Sequence, residues 1–226
     1  MRQITEDLWQ SDKYSSGRLN SHAYLLVRPA GNVLFYNTAA EADLAQIAAL
    51  GGVRYQLLTH RDESGPSLQR IRQRFGSELG CSVPEASYIG RDCQPDLVFS
   101  PLDSALEDIQ IIHTPGHTDG SITFLYRSPY GQTYLFTGDT YFQSYGQWQT
   151  FVMQNAGGTE KDMAESLEKL RQLQPDLVMS SGFVGDVAYR EVTRANWAVA
   201  IDQTLEALST RRHDNDDACL SCDRFF

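Results

Sequence analysis

The period of apolar and polar positions changes several times along the chain. Residues 21–27, ending in Tyr24-Leu25-Leu26-Val27, form an apolar run. A turn segment with Pro29 and Gly31 follows, and then Val33-Leu34-Phe35-Tyr36. This predicts a β-hairpin. Residues 39–50 are alanine-rich, carry Leu44, Ile47, Ala48 and Leu50, and run into Gly51-Gly52. They predict a helix with a glycine stop. A short strand is predicted over 55–59, delivering His60 at its C-terminal end, and a helix over 67–75, ended by Gly76.

The middle third predicts three strands, at 109–112, 122–126 and 134–137. Residues 141–158 hold Tyr141, Phe142, Tyr145, Trp148 and Phe151 without periodicity and predict a long loop. Thr159 with Asp162 three residues on is a capping-box variant that opens a helix. Met163, Leu167, Leu170 and Leu173 form its apolar stripe, and Pro175 ends it. A strand at 176–180 and a last helix at 189–208 complete the pattern. Trp197, Ile201, Leu205 and Leu208 are the inward positions of that helix. Residues 209–226 are polar and read as a C-terminal tail. No linker divides the rest, so 1–208 is expected to be a single domain of two similar α/β halves.

Composition narrows the function classes. The chain has 226 residues, 41% apolar and 21% charged, which excludes a disordered chain, a fibrous repeat and a disulfide miniprotein. Twenty-nine acidic against 19 basic residues give a net charge of −10. That field disfavours nucleic acid and anionic membranes as partners. No apolar run approaches the roughly 20 residues of a membrane span, and the first residues hold no apolar signal core. The expectation is a cytoplasmic protein with a small-molecule substrate; the oligomeric state stays open. Cys81 and Cys93 are isolated, and Cys219 and Cys222 form a lone Cys-x-x-Cys read as free thiols.

The chemistry concentrates in three clusters at strand ends. The first is Thr59-His60-Arg61-Asp62-Glu63. The second is His113-Thr114-Pro115-Gly116-His117-Thr118-Asp119-Gly120-Ser121, and the third is Phe136-Thr137-Gly138-Asp139-Thr140. His22 and His213 stand apart from these clusters.

In that order, the three clusters resemble the motifs of the metallo-β-lactamase superfamily, and the glyoxalase II-like hydrolases are the nearest branch in wording. The resemblance runs from about Leu8 to Leu208. It implies an α/β fold, the metallo-β-lactamase-like αβ/βα four-layer sandwich, with metal at one edge of its sheets. It also implies hydrolysis of an ester, thioester or lactone-like bond. A catalytic metal site uses imidazole and carboxylate ligands with one open position, and lowers the pKa of its water toward about 7. Gly116 and Gly138 would let the backbone turn close to such a site.

Carried over residue by residue, the ligand set is incomplete. His60 matches the first histidine of the His-x-His-x-Asp-His motif, and Asp62 stands where its second histidine belongs. Ser64 and Gly65 stand in place of the Asp-His pair; in a register shifted by two, Pro66 and Ser67 do. His117 and Asp139 match later ligands, and Phe183 occupies the place of the final histidine. The resemblance therefore implies at most one divalent metal (zinc, iron or manganese, or none), held by His60, Asp62, His117 and Asp139. Glu63, His113, Thr140, Tyr141 and Phe183 are expected around it, supporting the ligands or facing substrate. The alternative from another class is a non-catalytic descendant that binds or scaffolds.

Overall fold

The structure is a computed structural model that describes residues 1–16 and 19–222, with side chains outside 15–16 and 211–222. Two mixed sheets face each other. The first has seven strands, from Arg2–Gln3 at one edge through Leu8–Gln10, Tyr24–Leu26, Val33–Phe35, Tyr55–Leu57 and Glu78–Ser82 to Leu97–Phe99. The second has six: Ala105–Leu106, Ile109–His113, Ile122–Arg127, Thr133–Phe136, Leu177–Met179 and Tyr189–Glu191.

Strand alternation sorts the apolar residues into layers. Tyr24 and Leu26, Val33 and Phe35, Phe124 and Tyr126, Tyr134 and Phe136, and Leu177 and Met179 all enter the core between the sheets. The intervening Leu25 and Leu34 point outward on the first sheet, where Leu44 and Ile47 of helix α1 (Glu41–Ala49) and Ile71 of α2 (Ser67–Phe75) cover them. Leu125, Leu135 and Val178 point outward on the second sheet. There they meet Met163, Leu167 and Leu170 of α4 (Glu160–Arg171) and Trp197 and Ile201 of α5 (Arg194–Cys222). A third, four-residue helix α3 (Ala86–Ile89) closes a satellite cluster of Leu68, Cys81 and Ile89. Strands buried on both faces read as continuous apolar runs, as these do. The result is helix, sheet, sheet, helix: the expected αβ/βα sandwich. Phe35 and Phe136 stack across the sheet interface, with centroids 3.7 Å apart.

The predicted hairpin forms with Tyr24 opposite Phe35. Gly76 ends α2 in the left-handed conformation, and the Thr159 side chain accepts the Asp162 backbone N–H at the start of α4.

Three expectations need correction. Residues 141–158 are not a structureless loop. Phe142–Ser144 and Gln147–Gln149 pair as an antiparallel hairpin, and Gln154–Ala156 forms a 3-10 turn. Tyr145 and Gly146 both take positive φ between the strands (49° and 77°), the backbone of a tight two-residue hairpin turn. The last helix does not begin at 189. Tyr189–Glu191 pairs antiparallel with Leu177–Met179, and Thr193 opens the helix by accepting the Asn196 N–H at 3.3 Å. That helix also does not stop at Leu208 but continues to Cys222. No glycine or proline interrupts 209–222. The side chains of Cys219 and Cys222 lie outside the described residues. No helix among those described is long and apolar enough to cross a membrane.

Candidate metal centre

Each chemical cluster follows the C-terminal end of a strand. His60 comes just after Tyr55–Leu57, which runs parallel to both of its neighbours. Asp139 follows Thr133–Phe136, which runs parallel to Leu177–Met179. His117 lies in the turn between Ile109–His113 and Ile122–Arg127. Thr59 carbonyl accepts the Ile122 N–H at 3.0 Å, so the two sheets are joined where the clusters meet.

His60, Asp62 and His117 each offer one ligand atom within 4.8 Å of the others. The His60 and His117 rings meet edge-on, with centroids 4.5 Å apart. Both histidines are buried, and Asp62 is exposed. His117 Nδ1 donates to the Phe151 carbonyl at 2.8 Å. Its Nε2 is buried without a hydrogen-bond partner. A buried nitrogen left with a lone pair and no donor is costly unless something else fills that direction. Beside a second imidazole and a carboxylate, that donor chemistry fits a divalent cation.

Asp139 lies against this set rather than inside it. Its Oδ1 accepts the Ser181 hydroxyl and the Gly182 N–H, both at 2.8 Å. Its Oδ2 stands 3.7 Å from His60 Nε2. The Gly138 turn before it has φ of +56°, and a Cβ there would lie 2.0 Å from Thr59 Oγ1, so only glycine fits. The Tyr36 hydroxyl braces the same turn, accepting the Gly138 N–H at 3.1 Å and donating to the Met179 carbonyl at 2.8 Å.

Carboxylate charge surrounds the two imidazoles. Burial alone would lower the His60 imidazole, but Glu63, Asp139 and Asp62 outweigh it and push it up to about 9. Burial and then the neighbouring His60 hold His117 below the ordinary histidine value. Burial would raise Asp139, yet His60, His117, the Gly182 N–H and Ser181 together keep it below the usual carboxylate range.

The surrounding residues divide. Glu63 is buried next to the candidate ligands, and its carboxylate reaches His60 Nδ1 at 3.2 Å. His113 is half-buried at the end of its strand, and its carbonyl accepts the Lys169 ammonium. Neither His113, Thr140 nor Tyr141 lines the cavity beside the ligands. Thr140 closes the turn after Asp139 with its backbone. Tyr141 is fully buried in the helix-facing core, stacked on Trp148 at 4.7 Å, away from that cavity. Phe183 is also buried and stacks on His22 at 5.3 Å.

Beside the candidate ligands opens a cavity of about 370 Å³. His60, Asp62, Glu63 and Asp139 line it together with Tyr14, Leu19, His22, Asn37, Ser64 and Gly65. His22 stands apart from the three sequence clusters but shares this wall. No motif marks it, because the chain reaches the site there through strand pairing. Ser181 and Gly182 lay beside the lost histidine position, and their hold on Asp139 carried no sequence signal of its own.

No family model matches the chain. The hydroxyacylglutathione hydrolase of Xylella fastidiosa (strain M23) is 38% identical over 198 residues, spanning 85% of this chain and 69% of that one. The hydroxyacylglutathione hydrolase of Acidiphilium cryptum is 27% identical over 197 residues, spanning 85% and 74%. Among solved structures, a metallo-β-lactamase from Pontibacter korlensis superposes with a TM-score of 0.66 at 17% identity, covering 92% of this chain and 97% of that one. A mutant metallo-β-lactamase from Cronobacter sakazakii gives the same TM-score at 17% identity, covering 96% and 98%. Histidines and carboxylates gathered at strand ends, a four-layer sandwich and a 38% identical relative lead to one assignment: the chain belongs to the metallo-β-lactamase superfamily, in its glyoxalase II-like branch.

Proposed function

We propose that the protein is a metal-dependent hydrolase of a thioester or related ester bond, with one divalent ion held by His60, Asp62 and His117 beside Asp139. The observation that carries this reading is the partnerless Nε2 of His117, within 4.8 Å of ligand atoms from His60 and Asp62. The relatives' name supports a thioester of glutathione as the first substrate class to try. When bound, the ion supplies Lewis acidity and a water of lowered pKa.

The chain's own residues supply the rest. Glu63 orients His60, and the Phe151 carbonyl fixes the tautomer of His117. Ser181 and Gly182 hold one oxygen of Asp139, leaving the other toward the cavity that would take the acyl group. Ser64, Gly65 and Phe183 offer no ligands for a second ion, so the reading is of a one-metal site. That reduced set also favours a second reading, a protein that keeps the fold and binds without turnover.

The test is elemental analysis of the purified protein, followed by hydrolysis of a hydroxyacylglutathione thioester. About one ion per chain, with turnover lost in His117→Ala, is the expected result. Metal near zero and no turnover after reconstitution with zinc, iron or manganese would overturn it. Metal at one per chain without hydrolysis of any thioester, ester or lactone would favour the binding reading.

A further inference from the structure

Glu85 is fully buried, although it sits in a short 3-10 turn (Val83–Glu85) directly after the strand Glu78–Ser82. Its Oε2 accepts Arg61 Nε at 2.6 Å, and its Oε1 accepts Arg61 Nη2 at 3.1 Å. The same Oε1 accepts the Thr118 hydroxyl at 2.6 Å. Arg61 is the residue between His60 and Asp62, and Thr118 is the residue after His117. One carboxylate thus grips both ligand-bearing loops, which come from opposite halves of the sandwich.

The loop around His117 is shaped for this grip. A Cβ on Gly120 would lie 2.6 Å from Glu85 Oε1, so the glycine leaves room for the carboxylate to reach Thr118. The Ser121 hydroxyl accepts the Thr118 N–H at 3.0 Å and meets its hydroxyl at 2.8 Å. The Ser82 hydroxyl, three residues before Glu85, donates to the Gly120 carbonyl. On the other side the Arg61 guanidinium lies 3.9 Å from the centroid of the Tyr88 ring and also pairs with Asp119 at the surface.

A buried ion pair is weak evidence for stability, because well-packed apolar residues often do as well or better. Its geometry is another matter: a bidentate guanidinium–carboxylate pair fixes direction as well as distance. We infer that Glu85 is a positioning residue of the candidate metal centre, setting the spacing of the His60–Asp62 loop against the His117 loop through Arg61 and Thr118. The inference rests on the one-metal reading above.

Cobalt(II) binding reads this directly, since both affinity and ligand-field absorption report ligand placement. Wild type, Glu85→Gln and Arg61→Lys would be titrated with cobalt(II), with the melting temperature of each metal-free form measured alongside. Glu85→Gln and Arg61→Lys are each expected to weaken cobalt by about tenfold or more and to shift the absorption bands. Arg61→Lys keeps the charge beside Glu85 and loses only the fork, so it carries the test if Glu85→Gln does not fold. Wild-type affinity and bands in the folded variants would overturn the inference, even with a lowered melting temperature, because that is the outcome of a merely structural role. Failure of the wild type to take up cobalt would overturn the metal-centre reading, and this one with it. Uptake by the wild type with unaltered variants would overturn this one alone.

Discussion

One oxygen of the Glu63 carboxylate stands 3.2 Å from His60 Nδ1, while the other accepts the Thr59 backbone N–H at 2.7 Å. The Thr59 hydroxyl donates to the same carboxylate. Glu63 thus ties the ring of a candidate ligand to the end of the strand that delivers it. Partners of this kind orient ligating histidines, and losing one typically costs about 10–100-fold in metal affinity.

Glu63→Ala is therefore expected to weaken zinc binding by about that factor. It also strands the buried Thr59 N–H, so stability should fall by about 1–3 kcal/mol. Competition titration against a chelator and urea unfolding of the metal-free protein check the two halves separately. Unchanged zinc affinity would mean that Thr59 alone positions the ring.

The sequence carried the layers better than the edges. Helix α2 was legible to the residue, because an amphipathic stripe ends at Gly76. The Phe142–Ser144 and Gln147–Gln149 hairpin was not, because its turn is Tyr145-Gly146 rather than Asn-Gly, and its strands are short. Leu97–Phe99 and Glu78–Ser82 were missed for a related reason: edge strands and strands holding Gly80 lack a clean alternation. In the site, the family resemblance of the three clusters pointed to His60, Asp62, His117 and Asp139, and the fold brings ligand atoms of the first three within 4.8 Å of one another. What no single sequence could give is Glu85, 24 residues from Arg61 and 33 from Thr118, since its role exists only in the folded contact.

The end of α5 offers a stability test. Leu208 packs in the helix-facing core at 3% exposure, and the next two residues, Ser209 and Thr210, are exposed. Removing 209–226 is expected to leave the melting temperature within a few degrees, because the sequence of that stretch is polar and lacks an apolar period. Extending the deletion to include Leu208 removes a core side chain and should cost about 2–5 kcal/mol. Thermal unfolding of the two truncations decides it; a large loss in the shorter deletion would show that the terminal segment packs on the domain.

Cys81 gives a pH-dependent observable. Burial pushes its thiol up to about 12, with the nearby Glu85 adding to the effect. The unfolded thiol titrates near 8.5. Between those values the unfolded state has lost a proton that the folded state keeps. The contribution of this residue to stability is thus full below about pH 8.5 and falls as pH rises toward 12. Since the thiolate is the reactive form, Cys81 should resist a thiol reagent at pH 8 in the native protein and react on unfolding. Peptide mapping after labelling tests this, and rapid native modification at Cys81 would contradict it.

Phe183 offers a test of the one-metal reading. Its ring is 1% exposed, stacked on His22, and its strand pairs with residues Asn20 and Ser21. An imidazole placed there enters a packed position outside the cavity wall, against the His22 ring, whose Nδ1 is already engaged by the Ser11 carbonyl at 2.8 Å. Ser64 points elsewhere, donating to Asp92 at 2.7 Å, and Gly65 has no side chain, although the space beside it is open to within 3.8 Å of Asn37. A divalent ion held by one histidine and a carboxylate is bound too weakly to be retained. Phe183→His alone is therefore expected to leave metal content at one ion per chain. Adding Ser64→Asp and Gly65→His supplies the minimal donor set, though a carboxylate at position 64 also meets the repulsion of Asp92. Metal stoichiometry of the single and triple variants, measured at matched free zinc, separates these cases. Two tightly held ions in Phe183→His would mean that ligands for a second ion survive in this chain after all.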